Sequence, residues 1–200
     1  MVPLLCVALL AGCAAPSVPP MSVVERDIIR TEIDDDNWST VKVEYPEASR
    51  PDVVVKGTID DRDWSSRMVD CLRDMGFTVN VTDGYFSFGG NSGRPPIDYA
   101  VSTYVCRSTY PTLTQLIQYL DRQQLDELYL YYVGTVRPCL LLAGAPSPMP
   151  PTRFAFVLSA FRNPSWHPFQ VVWESGLPDP RVRYLEQRCP PIPTWLDLHG

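Results

Sequence analysis

Asp60-Asp61-Arg62-Asp63-Trp64-Ser65-Ser66-Arg67-Met68-Val69-Asp70-Cys71-Leu72-Arg73-Asp74-Met75-Gly76 is the stretch that decides how this chain folds. Trp64, Met68, Cys71, Leu72 and Met75 fall at i, i+4, i+7, i+8 and i+11, one apolar stripe with the period of an α-helix. Asp60 or Asp61 can accept hydrogen bonds from the first free N–H groups. Gly76 stands where a left-handed residue closes a helix. The spacing therefore predicts a helix from about 60 to 75 with a cysteine on its buried side. Asp60, Asp61 and Asp63 read first as partners of the helix start and its dipole.

Working outward, Phe77 to Val81 and Tyr85 to Phe88 alternate around Thr82-Asp83-Gly84, a hairpin signal. Gly89 to Pro96 reads as a loop, and its glycines open no phosphate-binding pattern. Ile97 to Arg107 follows as a helix with Ile97, Val101, Tyr104 and Val105 inward, closed by Pro111. Asp121 to Gly144 carries the longest helical pattern, through Leu125, Leu128, Tyr129, Tyr132, Val133, Val136 and Leu140. Pro138 lies inside it and should kink or split it near residue 137. Phe154 to Phe161 is apolar on nearly all sides, so helix and buried strand fit it equally. Asp179-Pro180 reads as an N-cap with Pro at N1, starting a helix that Pro190 stops.

Upstream, Val41 to Tyr45 and Asp52 to Lys56 look like strands. Asp34-Asp35-Asp36 looks like a solvated turn, since no calcium-loop spacing follows. The fold class expected is α+β, mostly helical: short helices with a small β-hairpin, stapled by two disulfides.

The N-terminal stretch sets an address. Val2 to Ala11 is an apolar run of ten residues ending in Leu9-Leu10-Ala11-Gly12-Cys13. A bilayer span needs about 20 such residues, whereas a signal h-region is this short. The run resembles a bacterial lipobox, although no Lys or Arg precedes it. That resemblance implies a signal peptide over 1–12, a lipidated Cys13 and a tether over 13–22 on the extracytoplasmic face of the cell membrane. Two or more acyl chains on one residue give stable attachment. Residues 23–200 are then expected to form one globular domain.

Of the six cysteines, Cys6 falls in the leader and Cys13 at the lipid position. Cys71, Cys106, Cys139 and Cys189 remain, an even set in an exported chain, which implies two disulfides with three possible connectivities. Joining neighbouring helices across short connections favours Cys71–Cys106 and Cys139–Cys189. No metal and no cofactor are expected: there is no Cys-x-x-Cys pair, and His167 and His199 are not spaced as ligands. A weak repeat runs through the same residues. Trp64 and Tyr132 each precede a Cys-Leu pair by seven residues, and Gly76 and Gly144 follow it. Taken at face value, it divides the domain into lobes 60–111 and 121–195.

These features resemble a group of uncharacterised cysteine-paired actinobacterial lipoproteins. The resemblance is carried by Trp64, Cys71-Leu72, Gly76-Phe77, Tyr104-Val105-Cys106, Tyr110-Pro111, Tyr129-x-Tyr131-Tyr132-Val133, Pro138-Cys139-Leu140, Pro150-Pro151, Trp166-x-Pro168-Phe169 and Cys189-Pro190-x-x-Pro193. It covers about residues 60 to 195. Its motifs are staples and turn residues, and the group brings no activity to carry over. The glycine-rich 89–93 loop and Leu130 depart from it.

Composition narrows the function classes. The net charge is −6 and the pI about 4.9, so there is no basic footprint for nucleic acid. Arg outnumbers Lys fifteen to two, which reads as coding bias. No Gly-x-Ser-x-Gly elbow appears, and no catalytic residue is assigned. His167, between Trp166 and Pro168, reads as a turn residue rather than a base. The tyrosines at 129, 131 and 132 exceed what one helical stripe can bury, which makes Tyr129, Tyr131 and Tyr132 the candidate binding surface. The leading expectation is a membrane-anchored envelope lipoprotein that binds or scaffolds an envelope protein or polymer. The rival is an envelope hydrolase of cell-wall polymer using acids such as Asp60 and Asp63. A solute-binding lipoprotein ranks third. A concave pocket that gathers polar side chains would decide between contact surface and site.

Overall fold

The computed structural model describes residues 21–82, 85–88, 93–160 and 166–198. Cys13, His199, the loop at 89–92 and the Asp83-Gly84 turn lie outside them. The described chain is mostly helical, and no described helix is long and apolar enough to cross a membrane.

Helix α1 (Val23–Glu44) corrects the reading of the N-terminal third. Ser22 and Glu25 form a reciprocal capping box, which satisfies two free N–H groups and starts the helix. Ile29, Ile33, Asn37, Trp38 and Val41 supply its buried face. Val41 to Tyr45 is therefore the end of a helix and not a strand. Its period-two alternation is too short to outweigh the helical stripe behind it. The segment from Asp52 to Lys56 forms no strand, and only Ile59 bridges, in parallel, to Thr112. Asp34, Asp35 and Asp36 are not a turn. They sit inside α1, where Asp34 and Asp35 pair with Arg50 and Asp36 accepts from the Tyr119 hydroxyl.

Helix α2 (Asp61–Asp74) follows the expected pattern, with Asp60 capping through the N–H of Arg62 at 2.9 Å. Gly76 has φ +84°, and the N–H of Phe77 returns to the carbonyl of Leu72, a left-handed close that glycine makes without strain. Strands β1 (Val79–Thr82) and β2 (Tyr85–Phe88) pair antiparallel, with Val79 opposite Phe88 and Thr82 opposite Tyr85. Helix α3 (Pro96–Thr109) packs between α1 and α2. The short α4 (Leu113–Ile117) begins at a second capping box, Thr112 with Gln115.

The long pattern after Asp121 becomes α5 (Arg122–Tyr131), one π turn (Tyr132–Val136) and α6 (Arg137–Leu142). Pro138 is the physical reason. Its ring would press on the carbonyl four residues back, and it has no N–H to offer there. The wider turn, in which the Arg137 N–H reaches back five residues to Tyr132, absorbs that conflict without ending the helix. Helices α7 (Arg153–Ala160), α8 (Gln170–Glu174) and α9 (Asp179–Arg188) complete the domain. The apolar stretch at 154–160 is thus helical. The cap of α9 falls on Pro178 rather than Asp179, and no side chain bonds there.

Both staples join neighbouring helices: Cys71–Cys106 links α2 to α3 with Cα atoms 5.8 Å apart, and Cys139–Cys189 links α6 to the end of α9 at 5.7 Å. The largest buried cluster gathers Leu116 of α4, Leu125 and Leu128 of α5, Tyr132 and Val136 of the π turn, Leu140, Phe156 and Leu185. Each fully buried side chain of this size contributes about 1.5–3 kcal/mol. Smaller clusters surround Met68 and Leu72 on α2, and Trp38 with Tyr104 between α1 and α3.

Candidate ligand pocket

The π turn fixes where the site lies. It carries Tyr132 into the largest cluster, with the side chain only 1% exposed. Phe156 of α7 meets the Tyr132 ring edge-on at 6.1 Å, and Trp166 does so at 6.1 Å. His167 approaches the same ring at 4.7 Å and stacks on Trp173 of α8 at 4.5 Å, nearly parallel. These five rings wall a pocket of about 410 Å³. Leu113 and Ile117 of α4 give it an aliphatic side, and Asp60, Asp61, Arg62 and Thr114 form its charged rim.

The rim is held by its own hydrogen bonds. Asp61 accepts from both the N–H and the hydroxyl of Thr114, at 3.2 and 2.8 Å, which binds the start of α4 to the start of α2. Glu186 of α9 accepts from the Trp173 indole N–H at 3.0 Å and pairs with Arg62 at 3.1 Å. The guanidinium at the rim is therefore already compensated by a carboxylate of the protein.

Three of the lining residues also carry a buried polar atom, the Tyr132 hydroxyl, the Trp166 Nε1 and the His167 Nε2, each closed off from solvent and without a hydrogen-bond partner among the described residues. A buried polar group without a partner costs about 1–3 kcal/mol. The proton on His167 can be placed. The N–H of Phe169 donates to its Nδ1 at 3.2 Å. A neutral imidazole with an accepting Nδ1 carries its hydrogen on Nε2. Burial lowers the His167 pKa to about 3, so the ring is neutral at physiological pH. Burial acts the other way on Asp60 and raises its carboxyl to about 6, against the hydrogen bond from the Arg62 N–H; Asp61, Glu186 and Asp63 push in the same direction as burial. The Tyr132 hydroxyl is held well above its ordinary value, mainly by burial.

The tyrosines expected on one surface are distributed differently. Tyr132 is a pocket wall inside the core, and so is no part of an exposed face. Tyr129 is half-buried and donates its hydroxyl to the carbonyl of Pro151 at 2.8 Å. Tyr131 is half-buried too and donates to Pro190 at 2.8 Å. Both fasten proline-rich connections, whose carbonyls still accept although the prolines donate nothing. The exposed residue in this stretch is Leu130. Among the suggested acids, Asp60 reaches the pocket with Asp61, while Asp63 does not line it. His167, read as a turn residue, lies at the pocket, whereas Phe156, Trp166 and Trp173 escaped notice as site residues. The one signal in the sequence was the density of rings around Trp166-His167-Pro168-Phe169. Among the described residues, no group of three His, Cys, Asp or Glu could hold a metal ion.

No family model matches this chain, and no curated protein and no solved structure matches it. The class that fold and site define is a helical domain, tied by two disulfides, with an aromatic pocket that also carries charged side chains.

Proposed function

We propose that this protein is a membrane-anchored envelope lipoprotein that binds a small, largely apolar molecule in the Tyr132–Trp166–His167 pocket. The observation that carries the reading is the pocket itself, walled by five aromatic rings with Leu113 and Ile117 on one side. The pocket volume falls in the range of small-molecule sites. Anchoring through Cys13 would place the pocket at the membrane surface.

Two measurements test this reading. N-phenyl-1-naphthylamine, a neutral apolar fluorophore, should bind the mature disulfide-bonded protein one to one. It should lose binding in Ile117→Trp, which fills the pocket, while near-ultraviolet circular dichroism reports an intact core. Failure of the wild-type protein to bind, or equal binding by a folded Ile117→Trp, would discard the pocket as a binding site. Mass spectrometry of the membrane fraction should find a diacylglyceryl-modified peptide starting at Cys13. An unmodified peptide spanning 9–20 as the main species would remove the anchor.

A second reading, hydrolysis of cell-wall polymer, has one observation in its favour. Asp60 keeps its proton to about pH 6 and lines the same pocket as His167, and a raised carboxyl can serve as a general acid. Release of reducing ends from purified wall polymer, lost in Asp60→Asn, would replace the binding reading with this one.

A further inference from the structure

We infer that the pocket takes a small organic cation of the quaternary-ammonium kind, an apolar shell around one positive charge, held by its aromatic rings together with the carboxylates of Asp60 and Asp61. The inference rests on the binding reading above and names the chemistry of the ligand.

The rings supply the first half of the argument. The face of a Trp, Tyr or Phe ring carries negative potential and attracts a cation, Trp most strongly. Tyr132, Phe156, Trp166 and Trp173 all line this one pocket. Among the described residues, Arg and Lys side chains lie over rings elsewhere, as Arg107 does over Trp64, and over none of these four. The fifth ring, His167, is neutral, its pKa lowered to about 3 by burial, and so adds no repelling charge.

The ionised side chains supply the second half. Arg62 is the one cation of the lining, and it is paired with Glu186 at 3.1 Å. Asp60 and Asp61 line the same pocket, and no ion pair among the described residues reaches either. Their hydrogen bonds come from neutral groups, the Arg62 N–H to Asp60 and the N–H and hydroxyl of Thr114 to Asp61. Their charge acts on the aromatic wall. Burial first, then Asp60, Tyr131 and Asp61, hold the Tyr132 hydroxyl well above its ordinary value. An anion would meet two unpaired carboxylates and a guanidinium already taken. A neutral ligand would leave both carboxylates without a counter-charge. A bare metal ion needs a set of oxygen, nitrogen or sulfur ligands, which walls of Leu113, Ile117 and Phe156 do not offer. A methylated ammonium keeps its charge, has no N–H groups to satisfy, and presents methyl groups to the rings.

The test uses three probes of one shape: choline, its uncharged isostere 3,3-dimethylbutan-1-ol, and 3,3-dimethylbutanoate. Each is titrated calorimetrically into the mature disulfide-bonded protein at pH 7.5 and low salt. Choline should bind about tenfold tighter than the alcohol, the worth of a desolvated cation over aromatic rings, and the anion should bind most weakly. Asp60→Asn with Asp61→Asn, which keeps the hydrogen-bond acceptors, should bring choline and the alcohol within about twofold of each other by removing the counter-charges. Arg62→Gln should act oppositely and raise choline affinity about threefold by removing the one positive charge of the lining, with the alcohol unchanged. Melting curves check that each variant is folded. Equal or tighter binding of the alcohol or the anion, or a choline affinity that neither variant moves, would overturn the inference and leave the pocket a binding site. Binding of none of the three overturns the inference alone if N-phenyl-1-naphthylamine still binds, and the binding reading with it if that probe fails too.

Discussion

Tyr132→Phe should make this protein more stable. In most cores the same change removes a bonded hydroxyl and costs about 0.5–1.5 kcal/mol. Here the hydroxyl is buried and has no hydrogen-bond partner among the described residues. Phenylalanine keeps the ring, and with it the edge-on contacts to Phe156, Trp166 and His167. Only the desolvation cost of the oxygen disappears, about 1–3 kcal/mol. Allowing for partial relaxation around the ring, we expect a gain of about 1 kcal/mol, or about 2–4 °C in melting temperature for a chain of this size. The assay is urea unfolding of the mature protein with both disulfides formed. The midpoint should rise and the slope stay constant, which marks a change in stability rather than in the denatured state. A loss of 1 kcal/mol or more would mean that the hydroxyl has a fixed partner in the folded protein. Tyr132 would then no longer count among the buried groups without a partner.

Other outcomes follow from the same geometry. Tyr129→Phe should act with the opposite sign, costing about 1 kcal/mol in the same urea assay, because it breaks a made bond to Pro151. Tyr131→Ala should lower the melting temperature by several degrees, since it loses both the bond to Pro190 and half-buried ring area; an unchanged melt would restore Tyr131 as a surface residue. Replacing Cys139 and Cys189 together by Ala should cost about 4 kcal/mol on loop-entropy arithmetic for a separation of 50 residues, checked by calorimetry beside the reduced wild-type protein. The pH response should separate two opposed groups. His167 has a folded pKa below its unfolded one, so its stabilising share is present above about pH 6.5 and is lost as pH falls toward about 3. Asp60 is raised to about 6, so its share is present below about pH 4 and is lost as pH rises toward 6. Between pH 4 and 6 the two cancel. Asp60→Asn keeps a good cap and removes one of them, so relative to wild type its stability should fall on acidification by up to about 1.4 kcal/mol per pH unit. Parallel pH curves for the two proteins would refute the pairing.

The sequence by itself determined the elements whose signals are local. Asp60, the stripe from Trp64 to Met75 and Gly76 define α2 at both ends, because caps and period act within a few residues. Four cysteines of even count, one on each of four helical patterns, were enough to choose the pairing seen once consecutive helices are taken as neighbours. Other features are present in the sequence beside competing local signals. The Ser22–Glu25 box and the Ile29–Ile33–Val41 spacing specify α1, while the alternation at 41–45 carries the period of a strand over five residues. Pro138 announced a disturbance, but not whether it would break the helix or widen one turn.

Only the tertiary structure decided the site. Tyr132, Phe156, the Trp166-His167 pair and Trp173 come from four separate places in the chain, and no spacing rule connects them. Whether a tyrosine ends as a wall, a clip or a surface depends on which proline-rich connection passes over it. Tyr129 and Tyr131 found carbonyls at Pro151 and Pro190, and Tyr132 found none. The same holds for charge. A histidine beside a proline reads as a turn residue until burial shows it to be neutral. A capping aspartate reads as a cap until burial, with the carboxylates around it, raises its own carboxyl. Propensity and period are properties of a segment, whereas desolvation and an unmet donor are properties of what surrounds it.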